Sequence, residues 1–300
     1  MTTMRTRLIK LWPLSRGRRR IAKFANLNLG NIEENQLVRT KPGDYVFYVH
    51  QDDVYFDVFF FNDYEVRETD TILSLLNKGD IFYDVGANFG WFTINSLKKI
   101  LPEGKVICFE PQTTLCNEIK INLEANNLSH LINEKIFIIQ KAVGSGTAKL
   151  YLYNDSFSHA QSSVSNVKES KPASFEVDQI TLDHFFNLNK SKIKKPRVIK
   201  CDVEGWELNV IKGASEICSG SSKPIWLLEI NKEAASFNGW ETSNLIGLLQ
   251  KYGYDNFVFL SYAYKPFRIT NFDKLPSTGN MLVFHSEDLN LVNKNLKISS

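Results

Sequence analysis

The residues of this chain best placed to do chemistry are Lys200, Asp202 and Glu204, at the end of the apolar run that includes Val198 and Ile199. A buried strand that carries Lys200 within its run and ends in Asp202-Val203-Glu204-Gly205 gathers one cation and two carboxylates at its tip. Either carboxylate could accept a proton from a reacting group, with Lys200 tuning the carboxylates or orienting that group. The plainer reading of Lys200 and Asp202 is a salt bridge that fixes the loop, and removing one partner of such a pair strands a charge. Glu207 falls in the first turn of the next helix, where a carboxylate complements the helix dipole.

A second stretch could hold a small molecule beside that tip. Asp84-Val85-Gly86-Ala87-Asn88-Phe89-Gly90 lies between the apolar Ile81, Phe82, Tyr83 and the helix-like series Trp91, Phe92, Ile94, Leu97, Ile100. A strand therefore turns sharply into a helix. Gly86 and Gly90 would let the backbone approach a ligand, and the amides opening the helix would point at it. Asp84 adds an acceptor. Glycine serves many tight turns, so this one has little specificity alone. Twenty residues past Gly90, however, the strand-like Val106–Phe109 ends in Glu110. That is where nucleotide-binding α/β folds place the acid that takes ribose hydroxyls.

The elements that must position these groups alternate. Strands are expected at 81–85, 106–109 and 136–143 and helices near 91–101 and 112–126, with breaks at Pro102-Glu103-Gly104 and Asn126-Asn127. Such alternation means a parallel sheet with helices on both faces and ligand at the carboxyl ends of the strands. Residues 144–180 interrupt it with a Ser-rich stretch that reads as an inserted hairpin. This insertion, with His159 and Ser162, could form a substrate mouth; an ordinary solvated loop is the alternative. A strand at 224–230 ends near Glu229, and 256–260 with 281–284 reads as a hairpin closing the sheet edge. Before the alternation, Tyr45 to Phe61 reads as β-hairpin or small sheet. Glu65 then precedes an amphipathic helix and could fold back over the ligand, or simply complement that helix's dipole.

The expected organisation is a basic lead-in at 1–22, a β-rich cap at 23–70, a catalytic domain at 71–286 and a polar tail at 287–300. The net charge of +3 hides an asymmetry: seven of the 36 Lys and Arg lie in the first twenty residues, leaving 29 against 33 acids, a net of −4. The lead-in is expected to be solvated, with a short amphipathic helix on an anionic membrane surface as the alternative. A nucleic-acid surface is not expected, because the acidic remainder shows no basic face with interleaved aromatics. The four cysteines lack Cys-x-x-Cys spacing, which favours buried thiols and a reducing compartment. No apolar run reaches the roughly 18 residues of a membrane span, and no secretory signal is evident. A cytoplasmic protein is expected, with any membrane contact peripheral, at the inner surface. No metal site is expected from spacing.

Taken in order, Tyr64-Glu65, Asp84 to Gly90, Phe109-Glu110-Pro111, Ala142-Val143-Gly144, Leu182-Asp183, Ile199 to Gly205 and Leu228-Glu229-Ile230 resemble the FkbM family of S-adenosylmethionine-dependent methyltransferases. The resemblance runs from about Tyr64 to Ile230. It implies a Rossmann-like class I methyltransferase fold with a seven-stranded, mostly parallel sheet. It further implies that Asp84, Gly86, Ala87, Asn88, Phe89 and Gly90 cradle the methionine part of S-adenosylmethionine, with Glu65 and Asp202 beside it. Glu110 would take the ribose hydroxyls, and Ala142 and Val143 would lie near the adenine. The expected reaction is methylation of a hydroxyl on a sugar, glycan or other secondary metabolite, with Trp206 and Glu229 as further acceptor-side candidates. Cys201 and Trp206 depart from the family pattern, and acceptor identity is the least transferable part. A nucleotide-dependent oxidoreductase and a non-catalytic cofactor-binding or membrane-surface scaffold are the alternatives. The turn lacks the Gly-x-Gly-x-x-Gly spacing of a dinucleotide site.

Overall fold

In the computed structural model the buried run Ile81–Val85 forms β3, flanked in parallel register by Lys105–Phe109 (β4) and Val198–Cys201 (β10). The structure describes residues 36–50, 55–154, 162–165, 174–220, 222–260, 265–296 and 298. The central sheet is completed by Ile136–Ile139 (β5), Ile225–Asn231 (β11), Asn256–Leu260 (β12), Phe267–Arg268 (β13) and Thr278–Phe284 (β14). Its order is β13-β12-β14-β11-β10-β3-β4-β5. The five strands from β5 to β11 are parallel, while β14 runs antiparallel between β11 and β12. The two-residue edge strand β13 makes this sheet eight-stranded, one more than expected.

Helices cover both faces: Phe56–Phe61 (α1), Val66–Leu75 (α2), Trp91–Ile100 (α3), Thr113–Ala125 (α4), Leu182–Asn189 (α5), Glu207–Lys212 (α6), Lys232–Phe237 (α7), Thr242–Lys251 (α8) and Leu289–Asn295 (α9). Two apolar cores follow from strand alternation. Tyr83, Val85, Ile107, Ile199 and Trp226 pack on one face, and Phe82, Val106, Cys108, Val198 and Leu227 on the other. All four cysteines are buried thiols.

Three expectations are corrected. The cap is β-rich only in the hairpin Gln36–Arg39 (β1) and Val46–Val49 (β2), because Phe56–Phe61 is helical. Phe56 and Phe60 stack one turn apart at 4.6 Å, and Asn62 closes the helix in the left-handed region, its N–H donating to the Val58 carbonyl. The insertion is a four-stranded sheet, not a simple hairpin: Ala142–Val143 (β6), Lys149–Asn154 (β7), Ser162–Ser165 (β8) and Ser174–Ile180 (β9), in the order β6-β9-β7-β8. The run 136–143 is thereby divided between two sheets at Gln140-Lys141. The segment after Glu287 is not a polar tail throughout, since α9 buries Val292 and Asn295 Nδ2 donates to the Ser74 carbonyl at 2.7 Å. The lead-in at 1–22 and residues 23–35 of the cap lie outside the described residues. No helix among those described is long and apolar enough to cross a membrane.

Candidate active site

The tips of β3, β4, β10 and β11 meet at one end of the sheet, as parallel strands must. The turn after β3 is anchored by backbone bonds, with Gly86 N and Ala87 N donating to the Phe109 carbonyl at 3.0 and 3.1 Å. Asp202 N donates to the Val85 carbonyl at 3.0 Å, which pulls the β10 tip against this turn. Gly86, at φ 79°, is required by that approach: a Cβ there would lie 1.8 Å from the Asp202 carbonyl oxygen. At Gly90, φ 87°, a Cβ would crowd Ile119 of α4 at 3.1 Å. Both glycines therefore make room for protein neighbours, a requirement that the sequence pattern did not show.

Glu110 ties the turn to the next helix. Its Oε2 accepts from Asn88 N at 3.0 Å and its Oε1 from Gln112 N at 2.9 Å. Burial raises the Glu110 carboxyl to about 7, although those two backbone donors draw it down. Asn88 holds a left-handed conformation at φ 52° and leaves its Oδ1 buried with no partner among the described residues. Ala87 and Phe89 are buried, so their side chains serve packing.

The β10 tip carries the charge. Lys200 is buried, with Nζ 2.9 Å from Asp202 Oδ2 and 4.5 Å from the centre of the Phe92 ring. Burial works against the Lys200 ammonium, but Asp202, Glu65 and Asp84 outweigh it and raise the lysine above its ordinary value. Glu204, left-handed at φ 52°, and Glu229 of β11 complete the tip: ligand oxygens of Asp202, Glu204 and Glu229 all lie within 4.8 Å of one another. Burial, then the neighbouring Asp202, pushes both Glu204 and Glu229 toward the protonated form. Sequence spacing shows no such carboxylate cluster, because β11 contributes its member from 25 residues downstream of Glu204. Glu207 turns back, its Oε1 accepting from Val203 N and Gly205 N at 3.0 and 3.3 Å, and so braces the 203–205 turn beyond any dipole effect.

The other expected residues are placed as follows. Glu65, at φ 41°, joins the charged group: burial raises its carboxyl, Lys200 opposes this, and Oε2 is buried without a partner among the described residues. Asp84 is wholly enclosed. Trp206 is buried with Ala142, Leu150, Leu152 and Val177, its Nε1 donating to Gln179 Oε1 at 3.3 Å, and so packs against the inserted sheet. The side chains of Ala142 and Val143 are likewise packed in cores. Ser162 lies on β8, and His159 is outside the described residues.

Sequence reasoning missed Thr93, whose Oγ1 donates to Asp84 Oδ2 at 2.7 Å. It also missed Asn122 of α4 and Asn126, which caps that helix. Asn122 accepts from Tyr48 N at 2.8 Å and donates to the Phe89 carbonyl at 2.9 Å. Asn126 accepts from Val46 N at 2.8 Å and donates to the Val46 carbonyl at 2.7 Å. The signal for this pair was their spacing of four on a helix, which puts two amides on one face where β2 docks.

The lining suits a cationic ligand. Lys200 stands against Glu65, Asp202 and Glu204, and among the described residues the buried acceptors Asn88 Oδ1 and Glu65 Oε2 lack partners. A molecule bearing an ammonium, a sulfonium and ribose hydroxyls supplies the charge and the donors this lining lacks.

Comparison with known proteins adds the following. Residues 84–255 match the family model described as the methyltransferase FkbM domain. No curated protein matches the chain. Among solved structures, the methyltransferase FkbM from Methylobacillus flagellatus KT is 16% identical with a TM-score of 0.45, over 71% of this chain and 48% of that one. The chain thus spans about half the length of that protein. A SAM-dependent O-methyltransferase from Thermotoga maritima is 11% identical with a TM-score of 0.44, over 85% and 86% of the two chains. Fibrillarin from Aeropyrum pernix, solved with bound S-adenosyl-L-methionine, is 11% identical with a TM-score of 0.40, over 72% and 73%.

Proposed function

The chain belongs to the FkbM methyltransferase family, and on that premise we propose that it methylates a hydroxyl of a sugar, glycan or other secondary metabolite with S-adenosylmethionine. The observation that supports an oxygen acceptor is the convergence of Asp202, Glu204 and Glu229 at the β10 and β11 tips. Deprotonating a hydroxyl calls for an acceptor of protons at the site of transfer.

Bound S-adenosylmethionine supplies a methyl group made electrophilic by its sulfonium. The chain's own residues bind and orient. Asn88 Oδ1 and Glu65 Oε2 are the buried acceptors for the methionine ammonium, and Glu110, once ionised, accepts from the ribose hydroxyls. Asp202, held by Lys200, orients the acceptor hydroxyl. Glu204, raised by burial toward neutral pH, takes its proton, because a base titrating near the working pH combines availability with proton affinity. Placement supplies much of the remaining rate.

The test is transfer of an isotopically labelled methyl group from S-adenosylmethionine to a panel of saccharides, polyols and amines, with and without a chelator. Label in an ether linkage, insensitive to chelator, supports the reading. Label only on nitrogen rejects the hydroxyl acceptor, and loss of transfer with chelator rejects Glu204 as the unaided base. A protein that binds no S-adenosylmethionine rejects the cofactor reading.

A further inference from the structure

Asp84 opens the glycine turn, yet no part of it reaches the surface of the site. In the parallel register it stands directly beside Lys200 of β10 and Cys108 of β4, and side chains paired in this way share a face of the sheet. Thr93, in the first turn of α3, reaches back to it. Its hydroxyl donates to Asp84 Oδ2 at 2.7 Å. This leaves Oδ1 buried, with no hydrogen-bond partner among the described residues. A buried carboxylate oxygen without a donor is costly unless a charge compensates it. The compensating charge is Lys200, whose Nζ bonds Asp202 Oδ2 at 2.9 Å and lies over Phe92, the residue before Thr93.

We propose that Thr93 and Asp84 are positioning residues that set the Lys200 ammonium, and through it the Asp202 carboxylate, instead of touching the cofactor. The inference rests on the reading above for the place of Asp202 beside the acceptor. Asp202 is partly exposed and draws Lys200 outward; Asp84 draws it from within the sheet. Thr93 fixes which way the inner carboxylate faces. With both charges in place the ammonium has one seat, and Asp202 inherits it. Without Asp84, Lys200 is free to follow Asp202 toward solvent, because a lysine stem is long and its head is strongly hydrated.

The experiment uses the full chain labelled with 15N-lysine. Lysine ammonium resonances are recorded at neutral pH, that of Lys200 being identified by its absence in Lys200→Met, and S-adenosylmethionine affinity is measured by calorimetry. The Lys200 resonance is expected to shift or broaden in Asp84→Asn and in Thr93→Val, and to return to its wild-type position in Thr93→Ser. The dissociation constant should stay within threefold of wild type in all three. Ser96→Ala removes a hydroxyl bonded to the Thr93 carbonyl at 2.9 Å and controls for general disturbance of α3. A tenfold or greater loss of affinity in Asp84→Asn makes Asp84 a cofactor contact and overturns the proposal. So does a Lys200 resonance unmoved in Thr93→Val, or moved equally by Ser96→Ala. Where Asp84→Asn does not fold, the nearly isosteric Thr93→Val carries the test under the same criteria. If the wild-type protein binds no S-adenosylmethionine, the cofactor reading fails, while the resonances still decide the arrangement of Thr93, Asp84 and Lys200.

Discussion

The backbone carbonyl of Asp202 occupies the space that a side chain at Gly86 would need, with only 1.8 Å between its oxygen and the position of a Cβ. The glycine turn after β3 and the β10 tip are therefore interlocked through main chain. Gly86→Ala must push the β10 tip away and also hold alanine at φ 79°. The backbone strain alone costs about 1–3 kcal/mol. A lowered melting temperature is expected, together with weakened S-adenosylmethionine binding. Unchanged values in both measurements would show that the tip moves freely past the turn.

Glu204 and Asp202 should separate in kinetics once an acceptor is found. Removal of a general base slows turnover about 10²- to 10⁴-fold. Glu204→Gln is expected to lose kcat in that range, whereas Asp202→Asn, which also leaves Lys200 without its 2.9 Å partner, should lower stability as well. Retained turnover in Glu204→Gln would move the base to another carboxylate of the cluster.

Glu110 predicts a pH dependence that needs no acceptor. Its carboxyl is raised from an ordinary 4.5 to about 7, so the fold favours its protonated form. Its contribution to stability is accordingly full below pH 4.5 and is lost as pH rises through about 7. On the proposed reading, ribose hydroxyls donate to the ionised form, so cofactor binding runs the opposite way. Affinity should be about tenfold weaker at pH 6 than at pH 8 for one such proton. Calorimetry across that range should show the full slope in wild type and a shallower one in Glu110→Gln, where Glu65, raised to about 8, still titrates.

Asn122 holds the cap to the turn. Asn122→Ala would leave the Tyr48 N–H and the Phe89 carbonyl without their partners, at a cost of about 1–3 kcal/mol for each group left unsatisfied. Denaturant unfolding should show a clear loss of stability, and hydrogen exchange should quicken at Tyr48. Protection unchanged at Tyr48 would mean that β2 is held by its hairpin alone.

Much of the fold was written locally. The apolar runs at 81–85, 106–109 and 198–201, their glycine and proline breaks and their acidic tips dictated a parallel α/β sheet with Asp84, Glu110 and Asp202 at one end, because strand period and turn chemistry are short-range properties. Tertiary structure decided what depends on residues meeting across the sheet. It brought Glu229 to Asp202 and Glu204, enclosed Asp84 beside Lys200 under Thr93, and gave Gly86 to a neighbouring carbonyl. It also took Trp206 into a core and made α1 from an aromatic run that alternates loosely enough to read as strand. Neither register between distant strands nor burial of a particular polar atom has a period in the sequence. Both follow only when the packed elements fix which side chains have neighbours and which have water.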